Sequence, residues 1–223
     1  MMPPVTQLEA LVSRLGIGNG THVIVYGSGT GPFDAAETTS IYLTLKYLGH
    51  DMVSILDGGL PAWMDEWSAD FDVGTHEPTA AQFLSNARPE LLISRSDVET
   101  SLTDGTAMID VRSHDMFMGV NRAWMLTRSG TIPNALNLPM SWLTENAGLK
   151  FRKPEQLERL FSAVGAPTKG RVILFCNAGL ESSMGWFAAH ELLGMDDAVL
   201  YDGSLAEWTK DDTLPLTKHV EFE

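Results

Sequence analysis

The sequence predicts an α/β fold with a parallel sheet flanked by helices, built as a tandem repeat whose first copy is incomplete. Two apolar runs typical of buried strands, His22–Tyr26 and Arg171–Phe175, lie 149 positions apart, and a helical pattern follows each of them. A second pair of related segments, Leu56–Trp63 and Tyr201–Trp208, lies 145 positions apart. Strand–helix–strand units with short connections are typical of parallel sheets.

The N-terminal repeat is predicted to span residues 1–67. A helix over Thr6–Leu15 precedes the first strand, and the helix after that strand ends near Gly49, a residue suited to a left-handed cap. Nothing before the strand corresponds to the front half of the other repeat. We therefore expect a sheet with a missing neighbour, and this uncovered edge favours a homo-oligomer.

The C-terminal repeat is predicted to span residues 91–215, after a mixed polar linker over residues 68–90. Pro near the first turn and Gly165 after the end delimit one of its helices. The predicted elements, in order, are a strand at Leu91–Ser94, a helix at Asp97–Leu102, a strand at Ala107–Val111, a turn at Thr131–Ala135 leading into Leu136–Leu138, and a helix at Pro154–Val164.

Composition and charge exclude some classes of function. The chain has 223 residues, 44% of them hydrophobic, which suffices for one large or two small cores. A net charge of -14 argues against nucleic acid or an anionic membrane as the main partner. No apolar stretch is long enough to span a membrane, and no secretory signal is visible. We expect a cytoplasmic protein, with the periplasm as the alternative if an N-terminal segment is missing.

Chemistry is expected at the loop where the repeats differ most. Cys176, the single cysteine, stands where the N-terminal repeat has Gly27, at the carboxyl end of a predicted strand. A tight turn into a helix directs several backbone N–H groups inward, which favours a thiolate and could hold a persulfide. The alternative is a small buried hydrophobe. The glycine counterpart and Gly179 within the loop favour function.

Taken together, these segments resemble the tandem rhodanese family, the thiosulfate and 3-mercaptopyruvate sulfurtransferases. The resemblance implies that an inactive N-terminal copy packs against an active C-terminal copy. It also implies that a small anionic donor, thiosulfate or 3-mercaptopyruvate, passes sulfur to Cys176 and then to a thiophilic acceptor such as cyanide or a thiol. The segments that carry it are Leu56–Trp63, Ile109–Arg112, Gly130–Ala135, Cys176–Gly179, and Tyr201–Ser204 with Trp208.

The resemblance also implies roles for individual residues. Cys176 is the expected persulfide carrier. Arg112 is expected to orient the anionic substrate, with a salt bridge to Asp110 as the alternative, and Arg122 is a second candidate. Asp110 is expected to brace its own loop. The expected amide cradle and substrate-binding loop consists of Asn177, Ala178, Gly179, Leu180, Glu181 and Ser182.

Several positions depart from the family pattern. Asn177 and Ala178 stand where thiosulfate-specific members carry basic residues, and Thr131 and Asn134 replace a usual His and Gly. Glu181 places a carboxylate in the loop, which should oppose thiolate formation and anionic donors unless the side chain points to solvent.

Two other functions remain open. A non-catalytic rhodanese-like binding or regulatory module would carry an unreactive thiol. A cysteine phosphatase would need an arginine where Ser182 stands. We expect no cofactor, and no metal because none of the six histidines has ligand spacing to the cysteine.

Overall fold

The N-terminal repeat forms a two-stranded parallel sheet with helices around it. The structure is a computed structural model that describes residues 2–29, 31–67, 74–75 and 77–222, and for residues 32, 66 and 67 it describes the backbone. Val23 pairs with Val53 and Val25 with Ile55. The elements are α1 (Val5–Arg14), β1 (Val23–Val25), α2 (Pro32–Tyr47), β2 (Val53–Ile55) and α3 (Gly59–Trp67).

The C-terminal repeat forms a five-stranded parallel sheet in the order β3-β7-β6-β4-β5. The predicted α/β class with a parallel sheet is thus confirmed. None of the described helices is long and apolar enough to cross a membrane. The elements are β3 (Leu92–Ile93), α4 (Arg95–Asp104), β4 (Ala107–Asp110), α5 (His114–Phe117), β5 (Leu136–Asn137), α6 (Pro154–Ala163), β6 (Val172–Phe175), α7 (Leu180–Trp186), which continues as a π-helical segment over Phe187–Leu192, β7 (Ala198–Tyr201) and α8 (Ser204–Trp208).

The outer face of the sheet is covered in one repeat and open in the other. In the N-terminal repeat five side chains line an open cavity of about 270 Å³: Ile24, Tyr26, Leu56, Leu60 and Trp63. Their five counterparts at the repeat offsets are completely buried: Ile173, Phe175, Tyr201, Leu205 and Trp208. Side chains from the front half of that repeat complete the same apolar cluster, among them Val98, Met108 and Ile132. A homo-oligomer formed through the uncovered sheet edge of the incomplete N-terminal repeat stays a prediction.

The described part of the predicted linker packs along the N-terminal repeat. The Ala81 N–H donates to the Ser13 carbonyl at 2.9 Å, and the Asn86 N–H donates to the Leu48 carbonyl at 2.9 Å. Phe83 is buried between these two points. Residues 68–73 and 76 of the predicted linker lie outside the described residues. The segment over residues 77–88 is therefore an extended strap fixed to α1 and the end of α2.

The two repeats meet through α2 and α7. The Thr39 and Ser183 hydroxyls lie 2.7 Å apart, and Ser183 also donates to the Ala36 carbonyl at 3.1 Å. Tyr42 and Phe187, which are equivalent at the 145-residue offset, pack edge to face with ring centroids 5.0 Å apart. The α2 and α7 helices thus meet at a pair of equivalent residues. Because α7 follows the Cys176 loop, this interface lies beside the candidate site.

Candidate functional site

Cys176 lies at the carboxyl end of β6, where the parallel sheet directs the loop to its edge. The side chain is fully buried. The Gly179 N–H donates to the sulfur at 3.2 Å, and the thiol lies 3.4 Å from the Ser182 hydroxyl, to which it donates. Ser182 in turn donates to the Gly179 carbonyl at 3.1 Å. The loop thus encloses the sulfur with one amide and one hydroxyl that can turn toward it.

Backbone contacts to the start of α8 fix this loop. The Leu205 N–H donates to the Cys176 carbonyl at 3.1 Å, and the Ala206 N–H donates to the Asn177 carbonyl at 2.8 Å. Gly179 has φ of +90°, and a Cβ there would lie 2.7 Å from Oδ1 of Asp202. Only glycine fits both the left-handed backbone and the close approach. The tight turn predicted from Gly179 is present.

Ser204 is a site residue that the sequence reasoning missed. Its hydroxyl accepts the Cys176 N–H at 3.1 Å, donates to the Tyr201 carbonyl at 2.7 Å and lies 4.0 Å from the sulfur. Ser204 has φ of +49°, an uncommon conformation for a residue other than glycine. Its counterpart is Gly59, so the change from glycine to serine between the repeats was the available signal.

The equivalent turn of the N-terminal repeat holds a carboxylate. The Leu60 N–H donates to the Gly27 carbonyl at 2.8 Å, matching the Leu205 bond to Cys176. Oδ2 of Asp34 accepts the Gly29 N–H at 2.6 Å, and a Cβ at position 27 would lie 2.9 Å from this oxygen. Asp34 therefore fills the space where a side chain at position 27 would stand.

The expectation that the loop favours a thiolate in the resting state is wrong. Burial raises the pKa of the Cys176 thiol, and the nearby Glu181 raises it further. Hydrogen bonding with the Ser182 side chain and with the Ser182 and Ala178 backbone lowers the pKa but does not outweigh burial. The inward Gly179 N–H is present, yet burial outweighs its effect and raises the pKa of the thiol.

Glu181 points inward rather than to solvent. It is 8% exposed, and its Oε2 accepts a hydrogen bond from the Asn177 Nδ2 at 2.9 Å. Burial raises the pKa of Glu181, an effect that the Asn177 hydrogen bond and the charge of Arg112 only partly oppose. Asn177 Oδ1 is buried and has no hydrogen-bond partner among the described residues. The sequence could not decide this orientation.

Arg112 forms the salt bridge that was the alternative to substrate binding. It is completely buried, its Nη2 lies 2.6 Å from Oδ2 of Asp110, and Nη2 also donates to the Gly130 carbonyl at 2.8 Å. Asp110 further accepts the Arg112 N–H at 3.0 Å and the Thr131 hydroxyl at 2.8 Å. Asp110 therefore braces its own loop, as expected, and engages the guanidinium.

The remaining predicted site residues lie in different surroundings. Ala178 is exposed and Leu180 is half-buried, on the outer side of the loop. Arg122 is exposed, donates to the Leu126 carbonyl, and borders a cavity of about 670 Å³ together with Arg128 and Lys218. The lining of that cavity comes from residues 122–129 and 212–221, so the structure does not bring Arg122 to the sulfur loop.

Comparisons of the sequence with known proteins give one consistent family. The rhodanese-like domain family matches residues 1–66 and 94–211. A candidate thiosulfate sulfurtransferase of Haloferax volcanii is 33% identical over 206 residues, covering 90% of this chain and 70% of that protein. The 3-mercaptopyruvate sulfurtransferase of Homo sapiens is 27% identical over 211 residues, covering 93% of this chain and 69% of that protein.

Solved structures with the same fold include those of EanB. A variant in complex with ergothioneine superposes with a TM-score of 0.82 at 21% identity, and another in complex with hercynine does so with 0.84 at 22%. The first alignment covers 99% of this chain and 56% of the EanB chain, and the second covers 98% and 55%. This chain thus spans a little over half the length of EanB, and the likeness concerns the fold alone.

Proposed function

The chain belongs to the rhodanese-like domain family, and from this premise we propose that it is a sulfurtransferase that carries sulfur as a persulfide on Cys176. The observation that supports the proposal most strongly is the enclosed sulfur, with the Gly179 N–H at 3.2 Å and the Ser182 hydroxyl at 3.4 Å. Such donors stabilise negative charge on sulfur once the proton has left. Relatives bearing sulfurtransferase names agree with this chemistry.

The loop must open before sulfur can be transferred. Cys176 has no exposed surface, so a donor cannot reach it in the closed arrangement. Burial is the largest cause of the raised pKa of the thiol. Because opening restores solvent around the sulfur, it lowers this pKa and lets the thiol release its proton to water. The Ser182 hydroxyl can then turn from the Gly179 carbonyl toward the thiolate.

Sulfur loading is a nucleophilic displacement at the donor. With thiosulfate, the Cys176 thiolate attacks the terminal sulfur, the S–S bond of the donor breaks, and its electron pair leaves with sulfite. With 3-mercaptopyruvate, the C–S bond breaks, its electron pair passes to carbon, and the resulting pyruvate enolate takes up a proton. In both reactions Cys176 gains one sulfur atom.

Unloading restores the thiolate. An acceptor such as cyanide attacks the outer sulfur of the persulfide, the S–S bond breaks, and its electron pair returns to the Cys176 sulfur. Thiocyanate leaves when cyanide is the acceptor. The Gly179 N–H and the Ser182 hydroxyl stabilise the returning charge, which makes the inner sulfur a better leaving group.

Turnover tests this proposal. We expect the purified chain to form thiocyanate from cyanide with thiosulfate or 3-mercaptopyruvate as donor. Cys176→Ser should lower that rate by at least about 1000-fold, because the hydroxyl is a poor nucleophile at neutral pH. Circular dichroism and thermal unfolding serve as controls for the fold. Turnover that survives in a folded Cys176→Ser variant would refute the assignment.

A second candidate function is a non-catalytic binding or regulatory module. The raised pKa of Cys176 and the buried Glu181 favour it, because both make the closed site unreactive. It predicts that neither donor loads sulfur on the folded protein. It also predicts that iodoacetamide reacts with Cys176 only at a pH above the pKa of a free cysteine thiol. Thiocyanate formation that depends on Cys176 would exclude this candidate.

A further inference from the structure

Glu181 is a charged side chain inside the loop that must accept an anionic donor. It lies in the first turn of α7, five positions after Cys176, and its side chain is almost completely buried. Asn177 Nδ2 donates to its carboxylate at 2.9 Å from the other end of the loop. The carboxylate therefore lies in the same loop as the sulfur, close enough to raise the pKa of the Cys176 thiol.

The neighbouring charges do not neutralise this carboxylate. Arg112 is the cation that acts on Glu181, yet its Nε and Nη2 are engaged by Asp110 at 2.9 and 2.6 Å. Asp110 itself carries a negative charge that opposes ionisation of Glu181. Among the described residues Glu181 has no ion-pair partner. An ionised Glu181 thus adds uncompensated negative charge at the sulfur site.

The two donors differ in charge at the point of reaction. Thiosulfate brings two negative charges to a thiolate that carries one, and as the S–S bond breaks sulfite leaves with two of the three while the persulfide keeps one. 3-Mercaptopyruvate brings one, on a carboxylate remote from its thiol sulfur. Repulsion between the carboxylate and an anionic donor grows with the charge of the incoming group. A carboxylate in the loop therefore opposes thiosulfate more strongly than 3-mercaptopyruvate.

We propose that Glu181 is a specificity-determining residue that makes the site prefer the singly charged α-keto thiol donor over thiosulfate. This inference rests on the proposed function, because it concerns the loading of Cys176. Burial raises the pKa of Glu181, so its carboxylate ionises at a higher pH than that of a free glutamate. Below its folded pKa the residue is neutral and the discrimination weakens, and above it the discrimination is complete.

The test measures single-turnover sulfur loading of Cys176 by intact-protein mass with each donor separately. Glu181→Gln keeps the acceptor for Asn177 and removes the charge. We expect the ratio of the second-order loading rates, thiosulfate over 3-mercaptopyruvate, to rise by about tenfold or more. The matched control is Glu191→Gln, which removes the same charge from a half-buried residue that accepts the Tyr42 hydroxyl at 2.9 Å. That control should leave the ratio within about twofold.

The pH dependence of the ratio of loading rates is a second measurement, and a purely structural role of Glu181 would not change it. The groups that face Glu181 are Cys176, Asn177, Arg112 and Asp110. In the wild-type chain the ratio should fall as pH rises through the pKa of Glu181, and in Glu181→Gln this fall should disappear. Because the ionisations of the donors are common to both proteins, their contribution cancels in the comparison. The Glu191→Gln profile, in which Glu181 is retained, should show the same fall as the wild type.

Failure of this inference is distinct from failure of the proposed function. If neither donor adds sulfur to the wild-type chain, the sulfurtransferase proposal fails. If both donors load Cys176 but the ratio is the same in the wild type and in Glu181→Gln, or does not vary with pH in the wild type, the charge-selection role is overturned. A rise of the ratio in Glu191→Gln equal to that in Glu181→Gln would also overturn it.

Discussion

The turn after β1 and the turn after β6 share a backbone hydrogen bond to the segment that follows the next strand, but they hold different side-chain groups. In both, a leucine N–H at the following DGG or DGS segment donates to the first carbonyl of the turn, Gly27 in one and Cys176 in the other. In the first turn the Asp34 carboxylate accepts the Gly29 N–H, and in the second the Cys176 sulfur accepts the Gly179 N–H. Each turn thus directs a backbone N–H at a side-chain acceptor, and only the acceptor in the second turn is the thiol that we propose carries sulfur.

The two sheets also differ in how far equivalent apolar side chains are buried. Tyr26 and Trp63 border an open cavity, whereas their counterparts Phe175 and Trp208 are completely buried under the front half of the C-terminal repeat. Equivalent apolar residues therefore contribute unequally to folding, because burial rather than residue type sets their contribution. Paired substitutions at equivalent positions can measure this difference.

We expect the largest effect on stability from substitution of the buried tryptophan of an equivalent pair, Trp208 and Trp63. Trp208→Ala removes a buried ring whose Nε1 donates to the Pro215 carbonyl at 2.9 Å, and should destabilise the chain by about 3–5 kcal/mol. Trp63→Ala, at a position that is 39% exposed, should cost only about 1 kcal/mol. Urea unfolding followed by far-ultraviolet circular dichroism measures both. Equal losses would show that the face of the N-terminal repeat is as well covered as its counterpart.

The next effect concerns Ser204 and Gly59. Ser204→Gly makes the C-terminal repeat resemble the N-terminal one and removes the hydroxyl that accepts the Cys176 N–H at 3.1 Å. We expect sulfur loading to slow by about tenfold, because the loop then positions the thiol less well. Stability should change by less than about 1 kcal/mol, since the lost hydrogen bond is offset by relief of the positive φ. Unchanged loading kinetics would mean that Ser204 only closes the turn.

The smallest effect concerns Asp34 in the other turn. Asp34→Ala removes the acceptor for the Gly29 N–H at 2.6 Å and should destabilise the chain by about 1 kcal/mol. Sulfur loading at Cys176 should stay within about twofold of the wild type, because the two turns lie in different repeats. Thermal unfolding and loading kinetics on the same preparation measure these values. A large change in loading would show that the two turns are coupled.

Much of the fold could be predicted because short segments of the two repeats have similar sequences. The offsets of 149 and 145 positions make Gly27 equivalent to Cys176 and Leu60 equivalent to Leu205. In the structure the Leu60 N–H donates to the Gly27 carbonyl, and the Leu205 N–H donates to the Cys176 carbonyl in the same way. Continuous apolar runs predicted the strands, because strands of a parallel sheet are buried on both faces. These features depend on short-range patterns, which a single sequence contains.

The electrostatics of the site could not be predicted in the same way. The pKa of Cys176 depends on how completely the loop closes, and the orientation of Glu181 depends on its contact with Asn177. Arg112 had two possible partners, and the buried Asp110 with the Gly130 carbonyl engages it. Each of these outcomes is decided by tertiary packing, which the spacing of residues along the chain does not specify.

The most direct test of the central claim is to locate the transferred sulfur. The wild-type chain is incubated with donor, separated from it, and analysed by intact mass and peptide mapping under non-reducing conditions. The account predicts the gain of one sulfur atom per chain, located on the peptide that contains Cys176 and lost as thiocyanate when cyanide is added. Thiocyanate formation without any sulfur ever present on Cys176 would contradict it.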